Sequence, residues 1–182
     1  MSGADVLIWM DLEMTGLDVE KDVIVEIAVL ATAATTLEPL DDGLAVVVAQ
    51  PPEVLGGMSD FVRAMHERSG LLTEITEAGV PLEEAGRRVL EYIKAHAPEP
   101  RTVPLCGNSI GMDRRFLDRY LPEIEGHLHY RSIDVSSLKE LCRRWYPEPF
   151  KARPEKAEGH RALPDIRGSI DELRYYRETI LK

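Results

Sequence analysis

An α/β fold, a mixed β-sheet flanked by α-helices in a single domain over residues 1–182, is predicted by three features of the sequence. Apolar runs rich in β-branched residues dominate the first fifty positions. From residue 59 the apolar period lengthens to that of helices, and short apolar runs then alternate with further helical stretches. Strands first, then helices alternating with strands, is the order expected of one sheet covered by helices. With 44% hydrophobic and 30% charged residues, the chain can bury a core of ordinary size.

Val6 to Met10 (VLIWM), Val23 to Thr32 (VIVEIAVLAT) and Leu44 to Ala49 (LAVVVA) read as strands, the first two central. The linker holding Gly16 and Asp18 suits a hairpin-like return, so the sheet should begin antiparallel. In PLEEAGRRVLEYIKAHA, Leu82, Ala85, Val89 and Ile93 share one helical face, and Pro81 fits the first turn. Thr102 to Cys106 reads as a strand, followed by the loop Gly107-Asn108-Ser109 and a helix carrying Met112, Phe116 and Leu117. Arg131 to Ile133 reads as a last short strand. Apolar residues at 135, 138, 141, 142 and 145 then predict a helix over Val135 to Trp145. Pro147 to Gly159, with three prolines and many charges, predicts an exposed, mobile loop. A final helix is expected from about Asp165, with Ile166, Ile170, Leu173 and Ile180 inward.

No apolar stretch approaches the ~18 residues that cross a bilayer, and the start MSGADVLIW lacks the pattern of a signal peptide, so a soluble, cytoplasmic protein is expected. Cys106 and Cys142 have no CxxC spacing and read as buried thiols. The net charge of −10 argues at first against a polyanionic partner. Yet residues 1–100 hold 6 basic against 19 acidic side chains and residues 101–182 hold 16 against 13, which leaves room for a local basic wall in the second half. There is no GxSxG, GxxxxGK[ST] or HExxH, and GNSIGM lacks the GxGxxG spacing.

Directly behind the first apolar run, "IWMDLEMTGLD" sets Asp11 and Glu13 one residue apart. In a strand they share a face. Two carboxylates ~6 Å apart repel by roughly 3 kcal/mol at an effective dielectric near 20, and a divalent cation offsets that best. "GNSIGMDRRFL" places Asp113 near a helix start, and "GHRALPDIRGSI" sets His160 five residues before Asp165. Taken singly, each is explained as well by a polar strand end, a first-turn helix acid or a surface histidine.

The ordered set D-x-E, GNSIGxD and H-x-A-x-x-D resembles the DEDD superfamily of 3′ to 5′ exonucleases, in the subgroup with a histidine five residues before the last aspartate. "DLEMTGLD", "HYRSIDVSSLKELCRRW" and "HRALPDIRGSIDELRYYR" extend the likeness to the oligoribonuclease family over nearly the whole chain. The resemblance implies a ribonuclease H-like sheet and hydrolysis of very short oligoribonucleotides, chiefly 5′-phosphorylated dinucleotides, to nucleoside 5′-monophosphates. By it, Asp11, Glu13, Asp113 and Asp165 hold two divalent cations, Mg²⁺ or Mn²⁺, and His160 is the general base. Leu17 wedges between the bases, Phe61 stacks on one, and His66 and Ser109 hold the scissile end. Tyr130 and Arg131 reach from a second subunit to the 5′ phosphate, so a homodimer is implied. Family members often carry Trp at the position of Phe61 and an acid at that of Pro164. Phe keeps a stacking face, and Pro164 stiffens the helix start. The rivals are a DNA-proofreading or tRNA-trimming exonuclease with the same metal chemistry, and a catalytically dead oligonucleotide-binding module. With aromatics at only 6%, no extended stacking groove for long RNA is evident.

Overall fold

The computed structural model describes residues 5–154 and 159–181. Five strands are found there: β1 (Val6–Met14), β2 (Ile24–Ala33), β3 (Leu44–Val47), β4 (Pro104–Gly107) and β5 (His129–Asp134). They form one mixed sheet in the order β3-β2-β1-β4-β5. β1, β2 and β3 pair antiparallel as expected, whereas β4 and β5 join parallel beyond β1. The first strand outruns its apolar segment: pairing with β2 continues through Asp11↔Ala28 and Glu13↔Glu26 to Met14↔Ile24. The acids therefore stand within the central strand, and a register shift after Glu13 marks a local irregularity beside them.

The helices are α1 (Pro52–Gly56), α2 (Asp60–Arg68), α3 (Leu71–Glu77), α4 (Leu82–His96), α5 (Ile110–Tyr120), α6 (Pro122–His127), α7 (Val135–Trp145), α8 (Pro147–Lys151) and α9 (Ala162–Thr179). Strand alternation sorts them into layers. Val6, Ile8, Met10 and Leu12 face a core built with Ala85, Val89 and Ile93 of α4 and Phe116 and Leu117 of α5. Leu7 and Trp9 face the opposite layer, with Val135 and Cys142 of α7 and Ile166, Ile170 and Tyr176 of α9. Asp11 and Glu13 continue the second series, so alternation turns them toward α9. A third cluster joins Val25 of β2 to Leu71 and Ile75 of α3 and to Leu55 and Met58.

Several expectations change. Pro147 to Gly159 is not a loop throughout, because α8 occupies its first five residues; residues 155–158 lie outside the described residues. Pro147 takes the first helical position, where a missing N–H costs nothing. The last helix begins at Ala162, so Pro164 and Asp165 both fall in its first turn, and Ile180 caps its end. α7 spans the predicted residues, yet Leu141 and Trp145, read as part of its apolar face, are exposed, Trp145 to 63%. Both cysteines are free and buried. Among the described residues no helix is long and apolar enough to cross a membrane.

Gly107 ends β4 against β1. A Cβ there would lie 2.9 Å from the Met10 carbonyl oxygen and 3.0 Å from Ile110 Cδ1, whereas one at Gly111 would meet nothing within 4 Å. Gly107→Ala should therefore destabilise the protein by about 1–3 kcal/mol. Gly111→Ala should cost no stability, a contrast readable in paired urea denaturation curves.

Candidate active site

The layer facing α9 gathers the acids. Carboxylate oxygens of Asp11 and Glu13 from β1 and of Asp165 from α9 lie within 4.8 Å of one another. Asp113 reaches the same strand from α5. The ladder between β1 and β4 has its last pair at Trp9↔Cys106, and farther along the Leu12 N–H donates to Asp113 Oδ1 at 3.0 Å. Asp113 thus satisfies a backbone donor that β4 no longer reaches. Asp113 and Asp165 each sit in the first turn of their helix, where the exposed amide ends favour negative charge.

Burial makes this grouping costly. The Glu13 carboxyl is pushed up to about 8, first by desolvation and then by the charges of Asp165, Glu26 and Asp113, with Arg161 acting in the opposite sense. Asp113 is pushed up to about 7 by burial, against the pull of its hydrogen bonds with the backbone N–H groups of Leu12 and of Asp113 itself. Crowded all-oxygen donors with raised proton affinity fit a hard divalent cation, which would replace the protons.

His160 is exposed and holds a left-handed backbone, φ 44°, a conformation that costs a non-glycine residue about 1–3 kcal/mol. It lines a cavity of ≈ 670 Å³ together with Phe61, Met65, Arg68 and Arg161. Phe61, on α2, is 73% exposed, and Leu17, in the turn after β1, is 66% exposed, so both present apolar surface to solvent. His66 is fully buried. Its Nε2 lies 2.9 Å from the Met14 carbonyl oxygen, Nδ1 has no hydrogen-bond partner among the described residues, and burial pushes the imidazole pKa down.

Ser109 precedes α5 with φ 56°, and its N–H donates to Asp134 Oδ1 and Ser136 Oγ, both at 3.0 Å. Asp134 Oδ1 also caps α7 through the Ser136 N–H, so one carboxylate fixes both the Ser109 loop and the end of β5. Tyr130 and Arg131 lie on edge strand β5, away from the acid cluster in sheet order. Tyr130 is 75% exposed, stacked on His129 at 4.4 Å, with the Arg131 guanidinium 5.4 Å from its ring centroid.

Sequence reasoning missed Glu26 and Arg161. Glu26 was one acid inside an otherwise apolar strand, and Arg161 stood beside His160. A lone charge in a buried run was the available signal. Pairing within the fold narrows the room for a local basic wall in the second half. Arg114 is bound by Glu125, Ser132 and the His129 carbonyl, and Arg143 and Arg144 are paired with Glu140.

The RNase_T exonuclease profile matches residues 8–173. Relatives named oligoribonuclease occur in Mycobacterium sp. (strain KMS), 52% identical over 96% of this chain and 81% of that protein, and in Leifsonia xyli subsp. xyli (strain CTCB07), 52% identical over 98% and 85%. The human protein named "Oligoribonuclease, mitochondrial" is 48% identical over 100% of this chain and 76% of its own length. Among solved structures, E. coli exonuclease I with a dT13 oligonucleotide superposes with a TM-score of 0.68 at 15% identity, covering 96% of this chain and 41% of that one. A product-bound exonuclease I structure gives 0.70 at 14% identity, covering 96% and 43%. These likenesses show the fold, a ribonuclease H-like sheet with helices, and this chain spans about two-fifths of the length of those exonucleases.

The raised carboxyls have a consequence for stability. Folded Glu13 and Asp113 keep protons that the unfolded chain releases near 4.5 and 3.8, so without metal, stability should fall as pH rises from there toward 7 to 8. Bound cation removes that loss. The rise in Tm on adding Mn²⁺ should be larger at about pH 8 than at about pH 6, and should shrink at both in Asp11→Asn. Differential scanning fluorimetry across the range checks it.

Proposed function

The chain belongs to the RNase_T exonuclease family, and on that premise we propose that it is a 3′-to-5′ exoribonuclease of the oligoribonuclease type. Its substrates are very short single-stranded oligoribonucleotides, chiefly 5′-phosphorylated dinucleotides, and its products nucleoside 5′-monophosphates. The observation that carries this reading is the meeting of Asp11, Glu13 and Asp165 oxygens within 4.8 Å, beside Asp113, with Arg161, whose charge acts on Glu13, lining the cavity shared by His160 and Phe61. We take residues 1–182 as one exonuclease domain.

When bound, two divalent cations, Mg²⁺ or Mn²⁺, supply an activated water and relief of charge on the leaving oxygen. The protein's own contribution is to hold four carboxylates for them, whose formal −4 then balances +4 and admits an anionic phosphodiester. His160, exposed and lining the cavity, accepts the proton of the attacking water on its imidazole. Phe61 offers one base a stacking face, and Leu17 separates it from the next. Ser109 and His66 hold the scissile end.

Tyr130 and Arg131 lie on edge strand β5, two strands from the acid-bearing β1, and an open sheet edge suits action on a second copy. The exposed Leu141 and Trp145 on α7, which follows β5 directly, support a homodimer formed over this edge. A 5′-phosphate cap supplied by the neighbour leaves no path for a longer chain. We place the enzyme in the cytoplasm, noting that the human relative is named mitochondrial.

Hydrolysis of a 5′-phosphorylated diribonucleotide should be fast, abolished by chelator, and well above that of a matched longer RNA or single-stranded DNA, with nucleoside 5′-monophosphates as products. Comparable rates on the long RNA would overturn the substrate assignment. His160→Ala should lower kcat by about 10²- to 10⁴-fold while Mn²⁺ binding persists, whereas Asp113→Ala should lose both. If His160→Ala keeps full turnover, the base is wrongly assigned though the metal site stands.

Mixed dimers test the neighbour's role. Asp11→Asn and Arg131→Ala chains, each inactive alone, should regain turnover when combined, because one site in the heterodimer then has intact acids and an intact neighbouring arginine.

A further inference from the structure

Glu26 lies opposite Glu13 across the β1–β2 ladder and is 1% exposed, so its charge needs a strong partner. Arg161 supplies it: Nε donates to Glu26 Oε1 and Oε2 at 3.1 and 3.2 Å, and Nη2 to Oε1 at 2.8 Å. The Ala162 N–H adds a bond to Oε2 at 3.0 Å. The far edge of the same guanidinium grips α3, with Nη1 and Nη2 donating to the two oxygens of Glu74 at 2.8 and 2.9 Å. A planar fork filled by two carboxylates has no edge left for a phosphate, so Arg161 is poorly placed to bind substrate itself.

Its position in the chain gives the clamp its meaning. Arg161 directly follows His160, whose left-handed backbone must be held by its surroundings, and precedes the first residue of α9, the helix that bears Asp165. Glu74 belongs to α3, which packs against α2, the carrier of Phe61. The clamp therefore ties together a central strand, the His160 segment and α3, the helix that packs behind α2, the other wall of the cavity.

We propose that Arg161, fixed between Glu26 and Glu74, is a positioning residue that sets the reach of His160 toward the bound phosphodiester. This rests on the base role assigned to His160 above. Glu74 is the accessible half of the clamp: its side chain is 44% exposed, and Glu74→Gln removes one charge without emptying the core.

The test measures kcat and KM on a 5′-phosphorylated diribonucleotide, and Mn²⁺ binding by calorimetry, for Glu74→Gln, Arg161→Lys and His160→Ala and for Glu74→Gln combined with His160→Ala. Arg161→Lys keeps the charge and loses the fork. Both clamp variants should lower kcat by about ten-fold or more with KM and Mn²⁺ affinity nearly unchanged. In the His160→Ala background, Glu74→Gln should have no further effect, since a misplaced base costs nothing once the base is gone. An undiminished kcat in both clamp variants, a loss that multiplies with that of His160→Ala, or a parallel fall in Mn²⁺ affinity would each overturn the clamp. Full turnover in His160→Ala alone would instead sink the base assignment, so the two failures are told apart.

Discussion

Mutual repulsion among buried carboxylates is the constraint around which this protein is arranged. Asp11, Glu13 and Asp165 share a space of 4.8 Å, Asp113 stands beside Glu13, and Glu26 faces Glu13 across the ladder. Burial is the larger cost for Glu13 and Asp113, and carboxylates ~5 Å apart add a repulsion of about 3 kcal/mol at an effective dielectric near 20. A flexible segment would relieve the strain by moving apart. β1 cannot, because it pairs with β2 along its whole length and with β4 at its start, and its apolar side chains fill cores on both faces of the sheet. The sheet supplies the stiffness, two helix starts supply partial positive charge, and Arg161 neutralises the fifth acid. The result is a close set of carboxylate oxygens, the donor type that hard divalent cations take. A divalent cation placed among them would relieve the cost of holding them together.

Much of this was legible in the sequence because period and order are local properties. Alternation in VLIWMDLEM places Asp11 and Glu13 on one face, and the same rule, once α9 is seen to cover that face, explains how an acid 154 positions after Asp11 comes to meet them. Less visible was where β1 stops. Hydropathy ends at Met10, but the ladder with β2 runs on to Met14, since hydrogen bonding is set by the partner strand and not by side-chain polarity. The short helices α1, α6 and α8 were missed for a related reason: each has proline in its first turn and too few residues to show a period. Glu26 and Arg161, 135 positions apart, were unreadable as a pair because nothing in either neighbourhood names the other.

One apparent misreading carries information. The apolar period over Val135 to Trp145 predicts a helix correctly, yet two of its five apolar positions, Leu141 and Trp145, remain uncovered. A helix stripe wider than its own fold can bury is a statement about a surface beyond the fold. β5 leads directly into α7 and carries the exposed Tyr130 and Arg131, with half-buried His129 stacked on Tyr130 and the Arg131 guanidinium beside its ring, so the uncovered stripe and this arginine lie on adjoining elements. The same residues that make the edge attractive to a second copy would bring Tyr130 and Arg131 to that copy's substrate. Assembly and recognition would then be one event.

The charge distribution finally explains why a chain of net charge −10 suits a short anionic substrate better than a long one. A long polyanion is held by many phosphate contacts along a basic track. Here several arginines of the second half are committed elsewhere: Arg114 to Glu125, Arg144 to Glu140, Arg161 to Glu26 and Glu74, and Arg174 to Glu38 and Asp171. Bound cations at one end and the neighbour's Arg131 at the other would leave two points of attraction with acidic surface around them. An oligomer that fits between those points would gain both contacts, and a further nucleotide would gain neither. Electrostatics alone, without any steric stop, would therefore tilt the preference toward dinucleotides.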